Sequence, residues 1–122
     1  MDLKRLPVKY IRDRAKSAYE KGPNCEICGT SEKLDFHHYF SVDMLFTKWC
    51  RINKIKINSV DDILACRDDF IEEHHHEIYN ETVTLCNTDH KLLHKVYGQK
   101  PLLSTGPKQK RWVQKQRDKH QK

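Results

Sequence analysis

Cysteine, histidine and acidic side chains form two groups in this 122-residue sequence whose spacing suits metal binding. In the first group, Cys25 and Cys28 are separated by two residues, and Cys86 and Asp89 repeat that spacing. Such a gap lets two side chains of one turn reach the same ion, and zinc takes four such ligands in a tetrahedron. These residues therefore predict a zinc site. The alternative is that Cys86 is a small buried residue and Asp89 an acid in the first helical turn.

The second group combines the adjacent His37 and His38 with His90 and His94. Residues four apart share one face of a helix, so His90 and His94 can both reach one cation. Neighbours on a strand point to opposite sides, so one of His37 and His38 can bind that cation while the other stays free as a base. This combination suits metal-assisted hydrolysis of a phosphodiester. The alternative is four hydrogen-bonded polar histidines near a zinc ion.

Helices and strands must hold these groups in place, and the pattern of apolar residues, caps and breakers predicts seven such elements. In chain order they are a helix over Pro7–Lys21, a strand over Leu34–Phe40, a helix from Ser41 to about Asn53, a helix from Ser59 to about Tyr79, a strand over Thr82–Leu85, a helix over Thr88–Tyr97 and a basic helix over Lys108–Lys119. We expect one domain over residues 1–103, with a helical insert at about 41–79, and a basic helical tail over 104–122.

The predicted insert has an apolar face and an acidic one. Leu45, Trp49 and Ile52 recur on one side of its first helix, and Trp49 is expected to anchor a small core of its own. In the second helix the apolar stripe comprises Ile63, Cys66, Phe70, His74 and Ile78. Cys50 and Cys66 are expected to be core residues, and two of His74–His76 to be solvated. Residues 60–81 carry eight acidic residues against Arg67, so this face should point away from a polyanionic phosphodiester substrate and is a candidate surface for a protein partner.

Composition and charge limit the class of protein. Apolar residues make up 37% and charged residues 33%, which predicts a small core that is helped by some additional cross-link. The sequence lacks the apolar stretch that a membrane helix or a signal peptide needs, so we expect an intracellular protein without membrane contact. The net charge of +6 is concentrated at the two ends, which suits a polyanion partner. The expected phosphate contacts lie in the tail, which Trp112 should dock on the domain: Lys108, Lys110, Arg111, Lys115, Arg117 and Lys119. The alternative is that these charges serve only solubility.

Three strings of residues together resemble the HNH endonuclease family, in particular its small phage-encoded members. The strings are Cys25-x2-Cys28-Gly29, Leu34-Asp-Phe-His-His38, and Thr82-Val-Thr-Leu-Cys86-x2-Asp89-His90-x3-His94, followed by the ending His94-Lys-Val-Tyr-Gly98. The resemblance implies an α+β protein with a ββα-metal (HNH) core: two strands and a helix around one catalytic cation, beside a structural zinc. Here a helical insert separates the two strands, and N- and C-terminal helices flank the core.

The resemblance also implies roles for individual residues. His37 is similar to the family's first metal ligand and His38 to its general base, while His90 and His94 match the ligands on the helix. Cys25, Cys28, Cys86 and Asp89 match the structural zinc site, with Asp89 in place of the last cysteine. The family's middle asparagine, which braces the hairpin and the base, falls at Glu81 here, with Asn80 one residue earlier.

The expected function is therefore a metal-dependent DNA endonuclease that nicks or cuts phosphodiesters, in a bacterium or a phage-infected host cell. His38 is the expected base, and His37, His90 and His94 the expected ligands of Mg²⁺, Mn²⁺, Ni²⁺ or Zn²⁺. Three imidazoles suit a transition metal better than Mg²⁺, which prefers oxygen. Two alternatives stay open: a non-catalytic zinc module that binds nucleic acid or protein, and a nuclease that acts on RNA.

Overall fold

The structure is a computed structural model that describes residues 6–120. It contains five α-helices and two strands within this range. In chain order these are α1 (Leu6–Ala15), β1 (Leu34–His38), α2 (Val42–Ile52), α3 (Val60–Glu73), β2 (Thr82–Cys86), α4 (Asn87–Tyr97) and α5 (Gly106–His120). A π-helical turn at His76–Asn80 precedes β2, and 3₁₀ turns occupy Lys16–Ala18 and Leu103–Thr105. The expected mixture of helices with a small sheet is confirmed. Residues 121 and 122 of the predicted tail lie outside the described range.

The two strands form an antiparallel pair, although α2 and α3 separate them in the sequence. The register runs from Leu34 opposite Cys86 to His38 opposite Thr82. Helix α4 follows β2 without a connecting loop and packs against both strands. The pairing therefore brings the His37–His38 end of β1 and the histidines of α4 into one region.

Two hydrophobic clusters stabilise the fold. The first lies between α1, α2, α3 and the π-helical turn, and its buried members include Ile11, Phe46, Trp49, Phe70 and Ile78. The second joins the Cys25–Cys28 turn, β2, α4 and α5. Trp49 is buried as expected, but the insert does not have a core of its own, because α1 contributes Ile11 and Ala15 to it. Helix α1 is thus needed to cover the apolar faces of α2 and α3.

Side-chain caps set the beginnings of α2 and α3, as the sequence predicts. Ser41 accepts a hydrogen bond from the backbone N–H of Met44, and Ser59 and Asp62 form a complete capping box. Each cap satisfies a backbone donor that the first helical turn leaves free. At the end of α4, Gly98 adopts a φ of 92°, a conformation that favours glycine.

Three details differ from the sequence-based prediction. Helix α1 ends at Ala15 instead of Lys21, because the chain becomes extended at Tyr19 and the Tyr19 ring stacks on Phe36 at 4.5 Å between centroids. The helix expected to reach Tyr79 ends at Glu73 and continues, after a break at His74, only as the π-helical turn. Ile52, expected on the buried face of α2, is 64% exposed, because Val42, Leu45, Phe46 and Trp49 already cover the core.

Helix α5 folds back onto the rest of the chain. The boundary expected at residue 103 falls in the 3₁₀ turn at Leu103–Thr105, and Gln109 and Val113 beyond it are buried. None of the helices within residues 6–120 combines the length and the apolar character required to span a membrane.

Candidate metal centres and active site

The three cysteines and Asp89 of the predicted zinc site converge beside the start of α4. An Oδ2 atom of Asp89 lies 3.3 Å from the Sγ atoms of both Cys25 and Cys86, and the sulfurs of Cys28 and Cys86 are 3.8 Å apart. Ligands bound tetrahedrally to zinc at 2.0–2.3 Å are separated by about 3.3–3.8 Å. The spacing of these four atoms thus fits a zinc ion.

The local fold explains how four residues so far apart in sequence meet. The Cys25–Cys28 turn is closed by a hydrogen bond from the Gly29 backbone N–H to the Cys25 carbonyl and is tied to β2 through Glu26. Cys86 caps α4 by accepting from the Asp89 N–H at 3.4 Å. Burial raises the pKa of the Cys86 thiol to about 12, so this sulfur is a neutral thiol unless a cation beside it stabilises the thiolate. Asp89 is only 8% exposed, unlike a solvated helix-cap acid.

The imidazoles of His37, His90 and His94 form the second group. His90 Nε2 lies 3.1 Å from His37 Nδ1 and 3.0 Å from His94 Nε2. Nitrogen ligands at 2.0–2.1 Å from one ion, at angles between those of an octahedron and a tetrahedron, lie about 2.9–3.4 Å apart. The triplet thus also fits a single cation. Within the described part of the chain, His74–His76 are not part of either group of potential metal ligands.

The other nitrogen of each ring has a hydrogen-bond acceptor, which assigns the tautomers. His90 Nδ1 donates to Asp35 Oδ2 at 3.1 Å, and His94 Nδ1 donates to the Gly98 carbonyl at 2.8 Å. His37 Nε2 donates to Gln109 Oε1 at 2.8 Å. The nitrogens that face one another therefore carry lone pairs and no protons. Three converging lone pairs repel one another unless a cation lies between them.

Side chains alternate along β1, so His38 lies on the other side of the strand from His37. Its ring contacts Tyr19 and Phe36, whereas that of His37 contacts His90. Burial, and secondarily the charge of Arg12, lowers the pKa of His38 to about 4, against the opposing effect of the Ile78 backbone. The imidazole is therefore neutral near pH 7. Its Nε2 atom is buried and has no hydrogen-bond partner among the described residues.

The histidines line one cleft of about 820 Å³ with a cationic rim. Arg12 of α1 and Lys91 and Lys95 of α4 supply the charges, and no residue of α3 lines this cleft. Tyr19 lines it too, and its hydroxyl is the other buried polar atom there without a partner in residues 6–120. Buried polar atoms are normally hydrogen-bonded, so two such atoms in one cleft indicate room for a polar ligand.

Asn80 and Glu81, the candidates for bracing the hairpin and the base, are directed to other partners in the structure. The exposed amide of Asn80 contacts His76, and the carboxylate of Glu81 binds His76 and Lys110. Neither side chain hydrogen-bonds to His38. The π-helical turn instead brings the backbone of Ile78 to the His38 ring.

The six predicted phosphate-binding residues of the tail divide into two sets on α5. Two of them form ion pairs with acidic residues of the same chain, Lys110 with Glu81 and Arg117 with Glu26. The other four are exposed: Lys108, Arg111, Lys115 and Lys119. Their spacing of three and four residues puts them on one face of the helix, so only this set forms a continuous basic stripe.

Two residues that orient the histidines were missed by the sequence-based interpretation. Asp35 could have been found, because it lies two residues before His37 and so points to the same side of β1. Gln109 gave no local signal, since it is a polar residue within a strongly basic helix. Only the docking of α5 reveals that this side chain is completely buried beside His37.

Comparison with known protein families agrees with the chemistry of these two groups. The model of the nicking endonuclease family named for phage T5 matches residues 2–122. The chain therefore belongs to this family of nucleases, and the family supports an endonuclease function with DNA as the substrate. No solved structure matches the chain.

Proposed function

We propose that this protein is a metal-dependent endonuclease of the HNH type, which nicks DNA by hydrolysing a phosphodiester bond. The observation that carries the proposal is the convergence of three imidazole lone pairs, from His37, His90 and His94, in a cleft that His38 also lines. The Nε2 atom of His38 has no hydrogen-bond partner in the part of the chain that the structure describes. In this proposal β1, β2 and α4 are the two strands and the helix of a ββα-metal core.

His37, His90 and His94 would hold the catalytic cation. Three neutral imidazoles favour a borderline transition ion such as Mn²⁺, Ni²⁺ or Zn²⁺, although Mg²⁺ with additional water ligands is also chemically suitable. When bound, a divalent ion supplies Lewis-acid stabilisation of the negative charge that develops on the phosphate and the leaving oxygen. Hydrogen bonds from these rings to Asp35, Gly98 and Gln109 keep their ligand nitrogens free of protons.

His38 would act as the general base that takes a proton from the attacking water. Its ring packs edge-on against the stacked rings of Tyr19 and Phe36, with centroid distances of 5.1 and 5.2 Å. The burial that keeps the imidazole neutral also leaves Nε2 with a lone pair and no competing partner. A correctly placed base of this kind contributes about 10²- to 10⁴-fold to the rate.

The cationic rim of the cleft would bind the DNA backbone around the scissile phosphate. Arg12, Lys91 and Lys95 come from two separate helices and line the same cleft as the histidines, so a phosphate bound in the cleft would meet positive charge from both helices. The hydroxyl of Tyr19, which has no hydrogen-bond partner within residues 6–120, is a donor in the same cleft. The basic stripe of α5 would add phosphate contacts outside the cleft.

The cysteine group would hold a structural zinc, not a catalytic one. Cys25, Cys28, Cys86 and Asp89 supply four ligands, which leaves no position open for a substrate. A zinc ion there would join the Cys25–Cys28 turn to the junction of β2 and α4. It would thereby fix the start of the helix that carries His90 and His94.

The second candidate function is a zinc-containing module that binds nucleic acid or protein without cleaving it. The acidic surface of α3 favours this alternative, because no residue of α3 lines the cleft and an exposed acidic helix suits a protein partner. The cleft histidines favour the enzyme, since a binding module has no need of an unpaired buried imidazole. RNA cleavage is a further outcome that the same chemistry allows.

The test is nicking of supercoiled plasmid by zinc-loaded protein with added Mg²⁺, Mn²⁺, Ni²⁺ or Zn²⁺, compared with the His38→Ala variant. We expect metal-stimulated conversion to the open circle, and a rate about 10²- to 10⁴-fold lower in the variant. Bound zinc and thermal stability serve as the control, because His38 is not among the proposed ligands. Equal cleavage by both proteins would contradict the role of His38. A folded, zinc-loaded wild type without activity on plasmid, branched DNA or RNA would favour the binding module.

A further inference from the structure

We propose that Gln109 is a positioning residue that sets the His37 imidazole for metal binding and thereby makes α5 part of the catalytic centre. The inference rests on the proposed role of His37 as a metal ligand. It assigns a further role to the C-terminal helix, which the sequence predicts as a docked tail that binds phosphate.

The amide of Gln109 is completely buried, and its orientation is determined by its neighbours. Its nitrogen donates to the carbonyl of Tyr39 at 3.1 Å and to the Thr105 hydroxyl oxygen at 3.0 Å. Thr105 uses its own proton on the Leu102 carbonyl at 2.6 Å, so its oxygen is the acceptor for Gln109. With both of these partners accepting, the amide oxygen must face His37.

This orientation determines which nitrogen of His37 carries the proton. The Gln109 oxygen accepts from His37 Nε2 at 2.8 Å, which leaves Nδ1 as the lone pair that faces His90. His37 is only 3% exposed, so water cannot replace the lost acceptor without rearrangement. An acceptor of this kind fixes the ring of a metal-binding histidine and raises its basicity.

Close packing and ion pairs hold α5 in the position from which Gln109 accepts the hydrogen bond of His37. At the start of the helix, a Cβ atom added to Gly106 would meet the Phe40 ring at 2.6 Å, so only glycine permits this approach. Further along, Val113 is buried and Lys110 and Arg117 form the ion pairs described above. The basic stripe lies on the face of α5 turned away from Gln109, so one helix bears the proposed phosphate contacts and the group that orients His37.

The experiment compares Gln109→Met and Gln109→Glu with the wild type. Methionine is similar in size but lacks the amide acceptor, whereas glutamate keeps an oxygen for His37 and loses the two donated hydrogen bonds. Val113→Ala is the matched control, because it loosens the packing of α5 without touching His37. The readouts are the Kd for Co²⁺ in zinc-loaded protein, followed by visible absorption, and the thermal midpoint. Continued absence of thiolate-to-cobalt absorption shows that the zinc site is undisturbed.

We expect Gln109→Met to raise the Kd for Co²⁺ about 10- to 100-fold, and Gln109→Glu to stay within about threefold of the wild type. The thermal midpoint should be lower in Gln109→Glu than in Gln109→Met, since glutamate buries a charge and loses both donated hydrogen bonds. Val113→Ala should lower the thermal midpoint and leave the Kd unchanged. A wild-type Kd in Gln109→Met, or an equal weakening in Val113→Ala, would overturn the proposal and assign Gln109 to docking alone.

A measurement on the wild type keeps the proposal testable if the variants do not fold. The sample contains zinc at the cysteine group and no metal at the histidines. Long-range proton–nitrogen NMR correlations of its imidazoles should show His37 as the Nε2–H tautomer. The Nδ1–H tautomer would overturn the inference. Neither the Kd for Co²⁺ nor the tautomer of His37 depends on cleavage. A wild type that is inactive on nucleic acid would therefore contradict the proposed function and leave this inference to be judged separately.

Discussion

The carboxylate of Asp35 accepts a hydrogen bond from Nδ1 of His90, with 3.1 Å between the two atoms. A residue of β1 thus orients a residue of α4, across 55 positions of the sequence. The contact directs the other nitrogen of His90 toward His37 and His94. Carboxylate, histidine and cation in this order form a common arrangement in protein metal sites.

Removal of this carboxylate should weaken binding of the catalytic cation. We predict that Asp35→Ala raises the Kd for Co²⁺ or Mn²⁺ about 10- to 100-fold, because His90 loses the acceptor that fixes its ring. The Kd is measured by titration of zinc-loaded protein. Asp69→Ala, which removes an exposed acid of α3, is the control and should bind the metal as the wild type does. An unchanged Kd in Asp35→Ala would show that β1 and α4 orient His90 without the help of the Asp35 carboxylate.

Arg12 and Arg14 offer a matched pair for testing the cationic cleft. Arg12 lines the cleft, whereas Arg14 is directed to Asp68, with 3.0 Å between Nε and the carboxylate. We predict that Arg12→Ala weakens DNA binding and reduces the slope of log K against log salt by about 1, as expected for one lost phosphate contact. Arg14→Ala should leave the slope unchanged. Equal effects of the two substitutions would contradict a specific phosphate site at Arg12.

Asp89 tests the composition of the zinc site. We predict that Asp89→Ala lowers zinc affinity at least about 10-fold, since a lost ligand should cost no less than a lost orienting partner. Asp89→Cys should retain zinc, because a thiolate can take the same position. Competition with a chromogenic chelator measures both. Zinc retention by Asp89→Ala equal to that of the wild type would mean that Asp89 acts only at the helix end.

The ion pair between Glu81 and Lys110 predicts a pH-dependent contribution to stability. The hydrogen bond from Lys110, assisted by His76, lowers the pKa of the Glu81 carboxyl below its ordinary value. Its folded-state pKa is thus below that of the unfolded chain. The contribution is complete above the unfolded-state value and disappears as the pH falls through the folded-state value.

Glu81→Gln should therefore be less stable than the wild type at neutral pH, by about 0–1 kcal/mol because Lys110 is partly solvated. Thermal unfolding of both proteins at decreasing pH should show this difference narrowing in the acid range. The difference in stability between the wild type and Lys110→Met should narrow in the same pH range, since this variant lacks the other member of the ion pair. A difference that stays constant with pH would assign the loss to packing.

The sequence was sufficient for the elements that local patterns determine. The capping box at Ser59, the Ser41 cap and the glycine at position 98 each set a helix boundary through contacts within a few residues. The spacing of His90 and His94 likewise required nothing beyond helical geometry. These features are predictable because their physical causes lie within one turn of the chain.

Other features depend on contacts between distant segments and could not be predicted in this way. The early end of α1 follows from the stacking of Tyr19 on Phe36, and the core of the insert is completed by Ile11 from outside it. Gln109 acquires its role only because α5 docks beside β1, 72 residues from His37 in the sequence. Such long-range packing leaves no periodic or spacing signal in the chain.

The central claim, that the three histidines form the catalytic metal centre, is tested most directly by His90→Ala. The measurement is the rate of nicking of supercoiled plasmid with saturating Mn²⁺, made on protein shown to contain one zinc and to unfold at the wild-type temperature. We predict a loss of activity of about 100-fold or more, because the cation that stabilises the phosphate charge is no longer held. A zinc-loaded, folded His90→Ala protein that nicks plasmid at the wild-type rate would contradict the account.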